Sequence, residues 1–402
     1  MALLRRHLSL LNWPVLVSEA SRHDHAVSGV HCSPHHGTHP GDPGEHAWSE
    51  ALPLISALCR SPALLGRSEA TAGLRQQLSV ELQGQGIESL PVCLNKDCCE
   101  KDLQRLEQQI KNAGCDGLIA AGGGKVMDAG KLLADRLGIA CITVPLSAAT
   151  CAGWTALSNL YSPNGAFIED VALKRCPDFL IFDHGFLRQA PARTLASGIA
   201  DALAKWYEAS VSSGASTDGL IQQAVQMARV LRDQLLLDAS EALQDPASAA
   251  WIRVAEACGL TAGVIGGLGG AQCRTVAAHA VHNGLTQLDA CHDVLHGEKV
   301  GFGILVQLRL EERLGGSQLA AQARRQLLPL LQELGLPVSL QDLGLGQAGL
   351  HDLQSACEFA CRPGSDLHHL PFNVDSTDLL EALISTQSGC TPSAVVGKET
   401  PT

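Results

Sequence analysis

The chain has 402 residues, long enough for two domains. Hydrophobic residues make up 46% and charged residues 17%, a soluble globular composition, and with only 3% aromatic the cores must rest on Leu, Ala, Val and Ile. A net charge of −12 excludes a nucleic-acid surface, which needs a basic face.

Fifteen cysteines are scattered without CxxC pairs. Several sit in apolar runs (Cys141 in ACITV, Cys258 in AEACGL), where cysteine behaves as a small buried hydrophobe, so a reducing cytoplasm is expected. The N-terminus has an Arg pair and a short apolar run, a superficial likeness to an export signal. Asn12, Trp13 and Pro14 break that run. Residues 21–46 hold seven of the sixteen histidines among Gly and Pro, and no good strand is visible there. A poorly ordered leader is expected over 1–48.

From residue 51 helices alternate with short apolar strands. Residues 63–66 (ALLG) read as a strand. Asp97 and Glu100 resemble a capping box, opening a helix whose Leu103, Leu106 and Ile110 recur at helical spacing. Residues 117–121 (GLIAA) are a strand that turns through Gly122, Gly123 and Gly124 into a helix from about 126 to 137. Residues 141–144 and 179–182 are further buried strands. Alternation with such short strands predicts an α/β domain over 49–185, built on a parallel sheet covered on both faces. Beyond about 183 strands disappear. Residues 216–243 form one helical pattern with Leu220, Ala224, Met227 and Leu231 on a stripe, and Ala- and Leu-rich helices continue to about 385. This predicts an all-α domain over 186–388 and a loose tail over 389–402, with no internal repeat and no membrane span.

Two stretches carry chemistry. AGGGKVMDAGK (121–131) follows a strand and opens a helix, so its backbone can approach a diphosphate at a helix N-terminus, or it simply makes a tight turn. His279 and His282 share one helix face, and His296 returns after a loop. Two imidazoles from separate helix starts and a carboxylate from elsewhere would form an open three-ligand metal site. Three ordinary histidines is the alternative.

AAHAVHNGLT, LHGEKVGFGILVQL and GIADALAKWYEA occur in an order that resembles the glycerol dehydrogenase group of the iron-containing, metal-dependent alcohol dehydrogenases. SAATCAGWTALS, the LAKWYEA ending and RPGSDLHHLP are similar to its hydroxycarboxylate dehydrogenase branch. The resemblance implies a dehydroquinate synthase-like architecture, with an active site in the cleft between an α/β nucleotide domain and an all-helical metal domain. It implies Asp201, His279 and His296 as ligands of one divalent metal, Zn²⁺ in preference to Fe²⁺. It places Gly122, Gly123, Gly124, Lys125 and Asp128 in the element that holds the cofactor's diphosphate. Leu146, Ala149, Thr155, Leu157 and Tyr161 fall on further cofactor contacts, and Leu146 replaces a common Thr, which removes one hydrogen bond.

NAD-dependent relatives place an acidic residue after the second strand, where this chain has Gly66, Arg67 and Ser68. Arg and Ser can donate to a 2′-phosphate, so NADP(H) is expected over NAD(H), with Arg67 as a plain surface residue the alternative. Glycerol-using relatives carry an Asp in the nicotinamide loop. Here the matching residue is Cys151, with Trp154 close behind, which removes repulsion toward an anionic substrate. Lys205 and Arg274 could bind that substrate's carboxylate. Lys205 could equally pair with Asp201 or Glu208, and Arg274 could be a helix-start charge. His282 could relay a proton or support a ligand. The expected function is hydride transfer between NADP(H) and a 2-oxo or 2-hydroxy acid. Oxidation of glycerol or another polyol is the alternative. A 3-dehydroquinate synthase-like lyase would need a denser Lys/Arg set. The partners expected are a small-molecule substrate and further copies of the chain, with no nucleic acid and no membrane.

Overall fold

The computed structural model describes residues 46–387 and the backbone of 15–16 and 29–31. Its strands are β1 (Val15–Leu16), β2 (Gly29–His31), β3 (Pro62–Gly66), β4 (Leu90–Cys93), β5 (Gly117–Gly122), β6 (Ala140–Pro145), the antiparallel hairpin β7 (Leu157–Tyr161) and β8 (Phe167–Ala172), and β9 (Phe179–Ile181). All but the hairpin form one parallel sheet in the order β1-β2-β9-β6-β5-β3-β4. The helices beside it are α1 (Ala47–Leu58), α2 (Ala72–Gly84), α3 (Glu100–Asn112) and α4 (Gly124–Leu137).

The period of two in the strands decides which helix goes where. Leu64, Ile119, Ala121 and Val144 point to the face covered by Trp48 and Ile55 of α1 and Leu78 and Leu82 of α2. Their neighbours Ala63, Leu65, Leu118 and Ala120 point to the other face, under Leu103, Leu106 and Ile110 of α3 and Leu133 of α4. Burial on both faces is why the strands read as unbroken apolar runs. A Cβ on Gly130 would stand 2.5 Å from that of Ala120, so α4 lies against β5 at backbone contact.

The second half is helical: α5 (Ala192–Ser213), α6 (Gly219–Gln244), α7 (Ala249–Glu256), α8 (Ala262–Gly269), α9 (Ala277–Leu285), α10 (His296–Arg313), α11 (Gln318–Glu333), α12 (Leu350–Ala360) and α13 (Ser376–Ile384). A π turn over Ala257–Thr261 joins α7 to α8. Among the described residues only this Ala249–Gly269 stretch is long and apolar enough to cross a membrane, and half of its apolar window is buried against the rest of the protein.

Four expectations need correction. Asp97 and Glu100 form no capping box: the helix begins at Glu100 behind Cys99, Asp97 turns to Lys125, and Glu100 takes Arg136 at 2.8 Å. On α6 the buried residues are Ala224, Val225, Ala228, Leu231, Leu235, Ala239 and Ala242, whereas Leu220 is exposed, because the helix starts only at Gly219 and its first turn overhangs the core. Val15–Leu16 and Gly29–His31 extend the sheet edge inside the stretch read as a leader, and α1 already starts at Ala47. Strands of two and three residues are too short to show alternation. Of the hairpin, β7 falls in the stretch expected only as a cofactor loop and β8 in none of the expected elements, since Ser, Asn and Asp dilute their apolar residues. The remaining leader, with its signal-like run and most of its histidines, and the tail over 389–402 lie outside the described residues.

Candidate metal centre and cofactor cleft

Glycines bring the three metal-type residues together. A Cβ on Gly297 would fall 1.8 Å from the carbonyl of Ser197, and one on Gly303 2.4 Å from that of Ala278. Helix α10 therefore crosses α5 and α9 with no side chain between the backbones. Gly198 similarly lies against the backbone of Ala148, where a Cβ would stand 2.0 Å from the carbonyl oxygen. These crossings fix Asp201 on α5, His279 on α9 and His296 at the start of α10 around one point.

His279 Nε2 is 3.3 Å and His296 Nε2 3.7 Å from Asp201 Oδ1, and the donor atoms of all three lie within 4.8 Å of one another. Both imidazoles are held from behind. Glu208, fully buried, accepts from His279 Nδ1 at 2.6 Å and from the backbone N–H groups of Val276 (2.7 Å) and His279 (3.0 Å). His282 Nδ1 lies 2.9 Å from the amide oxygen of Asn283, an acceptor, so that nitrogen carries the proton. Its Nε2 then accepts from His296 Nδ1 at 3.0 Å. In this arrangement the Nε2 lone pairs of His279 and His296 both face Asp201. Two imidazole nitrogens and one carboxylate, each oriented by a buried partner, fit a divalent cation of the Zn²⁺ or Fe²⁺ type.

Burial works to raise the Asp201 carboxyl, but Lys205, His279 and His296 outweigh it and hold the group well below the usual carboxylate range. Burial lowers His279, yet the Glu208 charge prevails and lifts it to about 9, so near neutral pH a proton holds its Nε2 against Asp201 and a cation binds there by displacing that proton. Burial, with His296 and Lys299 adding to it, pushes His282 well down, so that ring is neutral.

Sequence reasoning missed Glu208 as a support, naming it only as a possible partner of Lys205. Its register, seven residues after Asp201 on one helix, was the available signal. Glu208→Gln should keep the shape but lose the charge behind His279, weakening divalent metal binding by about 10- to 100-fold. A chelator-competition titration measures this, and unchanged affinity would remove Glu208 from the centre.

Lys205 Nζ lies 3.5 Å from Asp201 Oδ1 and 3.4 Å from the carbonyl of Arg274, so it is buried with a partner. Arg274 Nη2 reaches Asp170 Oδ2 on β8 at 3.2 Å, while its Nε is buried without a hydrogen-bond partner. The Cys151 thiol is raised by burial and sits in the field of both Lys205 and Asp201. Trp154 packs against Leu180, Leu260 and Val264, and a Cβ on Gly263 would be 2.2 Å from its ring. It forms wall rather than reaching the ligands.

On the cofactor side, Gly122 ends β5 and Gly123 caps α4, leaving amide groups at the C-terminal edge of the sheet, where open α/β folds bind nucleotides. Gly124 stands close enough to Thr150 that a Cβ would lie 3.1 Å from its methyl. Asp128 is buried and paired with Lys131 at 3.2 Å. Lys131 in turn donates to Thr155 O (3.2 Å), Thr155 Oγ1 (3.1 Å) and the carbonyl of Leu157, so it carries the loop that leads into β7. Leu146 N donates to Gly122 O at 3.0 Å. Ala149 is half-buried in the same loop, and Tyr161 is buried edge-on to Phe167.

Arg67 and Ser68 are exposed just beyond β3, and Ser68 Oγ caps the next turn by accepting from Ala70 N at 3.2 Å. Arg75, which sequence reasoning missed, folds back from α2 over Gly66 and donates to Ser68 O at 3.0 Å and to Thr71 Oγ1. A Cβ on Gly66 would meet its guanidinium at 2.1 Å, so that glycine is what admits it. No spacing rule marks such a return contact.

Residues 43–184 match the family model described as "Iron-containing alcohol dehydrogenase". An uncharacterized oxidoreductase of Synechocystis sp. is 58% identical over 72% of this chain and 75% of its own length. Hydroxycarboxylate dehydrogenase A of Escherichia coli (strain K12) is 34% identical over 72% of this chain and 80% of its own. The crystal structure of glycerol dehydrogenase from Schizosaccharomyces pombe has a TM-score of 0.76 at 25% identity, covering 86% of this chain and 88% of that one.

Proposed function

The chain belongs to the iron-containing alcohol dehydrogenase family and is an oxidoreductase of CH–OH donors, and on that premise we propose that it interconverts a 2-oxo acid and a 2-hydroxy acid with NADP(H). Asp201, His279 and His296 hold one divalent ion, zinc by the group most resembled. That ion supplies Lewis acidity at the substrate's carbonyl or hydroxyl oxygen, and the bound nicotinamide supplies or accepts the hydride.

The observation that carries the substrate class is Cys151. A thiol kept neutral by burial stands beside the Asp201–Lys205 pair, at the position where glycerol-using relatives carry a carboxylate. An anionic substrate meets no second negative charge there. Lys205 is the cation in the field of that thiol, and Arg274, which holds Lys205 through its backbone carbonyl while its guanidinium pairs with Asp170, is the next. His282 positions His296, and any proton it passes runs through His296 Nδ1, the atom its Nε2 meets. The likeness to a glycerol dehydrogenase structure supports polyol oxidation as a second reading. A lyase acting on a phosphorylated acid would need more cations than Lys205 and Arg274.

Initial rates on a panel of 2-oxo acids, 2-hydroxy acids and glycerol, each with both nicotinamides, test the proposal. Better turnover of glycerol than of every 2-hydroxy acid would replace it with the second reading. Within that panel Arg67→Asp should shift preference from NADPH toward NADH, because a carboxylate repels a 2′-phosphate and accepts from ribose hydroxyls. Arg75→Ala should weaken NADPH binding more than NADH. If neither changes the ratio, the Gly66 corner does not read the adenosine ribose.

A further inference from the structure

Asp97 is absorbed neither by the helix cap expected of it nor by the metal centre. It sits in the segment after β4, on the nucleotide edge of the sheet, and is 6% exposed. Lys125, in the first turn of α4, makes its ion pair with Asp97 Oδ1 while its own side chain stays 41% exposed. Around this carboxylate lie Gly165 of the turn between β7 and β8, where a Cβ would stand 3.0 Å from Asp97 Oδ2, and the ring of His292. Lys299, buried on α10 three residues after His296, is close enough to feel both Asp97 and Lys125.

Resting on the reading of residues 122–125 as the diphosphate element, we propose that Asp97 is an internal competitor for the cofactor: its carboxylate occupies Lys125 until a dinucleotide diphosphate displaces it. Lys125 can leave because it is half in water. Asp97, buried, keeps Lys299 as a neighbouring positive charge when it does. Each binding event then exchanges one charge-assisted contact for another, which lowers affinity for the dinucleotide and speeds its release. Asp97 is thus a positioning residue that sets how tightly the cofactor is held, with no contact to the reacting atoms.

The test is titration of the metal-loaded enzyme with NADPH and NADH by nucleotide fluorescence, together with the dissociation rate by stopped flow. Asp97→Asn should bind both nucleotides about tenfold more tightly and release them correspondingly more slowly, the size expected for one charge-assisted contact. Asp97→Ser, which removes the same charge with a smaller side chain, should change affinity in the same direction. Loss of the Asp97 charge would also relieve plain repulsion of the diphosphate, so the variant is repeated with Lys125→Ala: competition predicts that the gain from Asp97→Asn vanishes there, and a gain that persists overturns the competitor role. Lys125→Ala separates the layers of the argument. If it leaves nucleotide binding unchanged, the diphosphate reading itself fails. If it weakens binding while both Asp97 variants bind as wild type or more weakly, only the competitor role is overturned.

Discussion

Asp201→Asn should strip the divalent ion and abolish turnover while leaving a folded chain that still binds nucleotide. Loss of a group that merely orients a ligand costs about 10- to 100-fold in metal affinity, so loss of the only anionic donor among the three must cost more. The asparagine keeps the volume and one oxygen, but not the charge that Lys205, His279 and His296 all face. Asp201→Ala should also lower stability, because it leaves the Lys205 ammonium buried without its carboxylate, a loss of roughly 3–5 kcal/mol when one partner of a buried pair is removed. Adding Lys205→Met to Asp201→Ala should restore much of that stability and none of the activity. His279→Ala and His296→Ala should match the metal and turnover losses. Metal analysis of the purified protein, equilibrium unfolding and rate assays read these outcomes, and full activity in any single variant would take that residue out of the centre.

Cys151→Asp should reduce 2-oxo acid turnover by about one to two decades, the equivalent of roughly 1.5–3 kcal/mol for a charge-assisted contact. The new carboxylate would stand in the field of Asp201 and Lys205, compete for the ammonium and repel an anionic substrate. Glycerol oxidation should rise, since a diol gains an acceptor. Lys205→Met divides two roles that the geometry joins. If Lys205 binds the substrate carboxylate, 2-oxo acids lose about as much as with Cys151→Asp and a neutral aldehyde loses little. Equal losses for both substrates would show that Lys205 serves Asp201 alone, which its 3.5 Å contact also suits.

The core of the α/β half was legible because burial on both faces writes itself as short unbroken apolar runs, and β3, β5, β6 and β9 all lie where those runs fall. Burial does not mark β4 and β8 in the same way. β4 is an edge strand with a single buried position, and β8 is mostly exposed. Asp201, His279 and His296 were legible for another reason: their motifs resemble those of a known family, whereas spacing by itself left three ordinary histidines open.

Sequence alone determined the parallel sheet followed by helices and the glycine turn at the mouth of α4, because periodicity is a local property of the chain, and it singled out Asp201, His279 and His296 only through the family resemblance. Only the tertiary structure decided what supports them. Glu208 behind His279, the Asn283–His282–His296 chain, Arg75 over Gly66 and Asp97 against Lys125 each depend on how two elements cross. A hydrogen bond or an ion pair needs its two groups within a few ångströms, and that distance is set by packing, where a missing Cβ at Gly66 or Gly297 counts for more than any pattern along the chain.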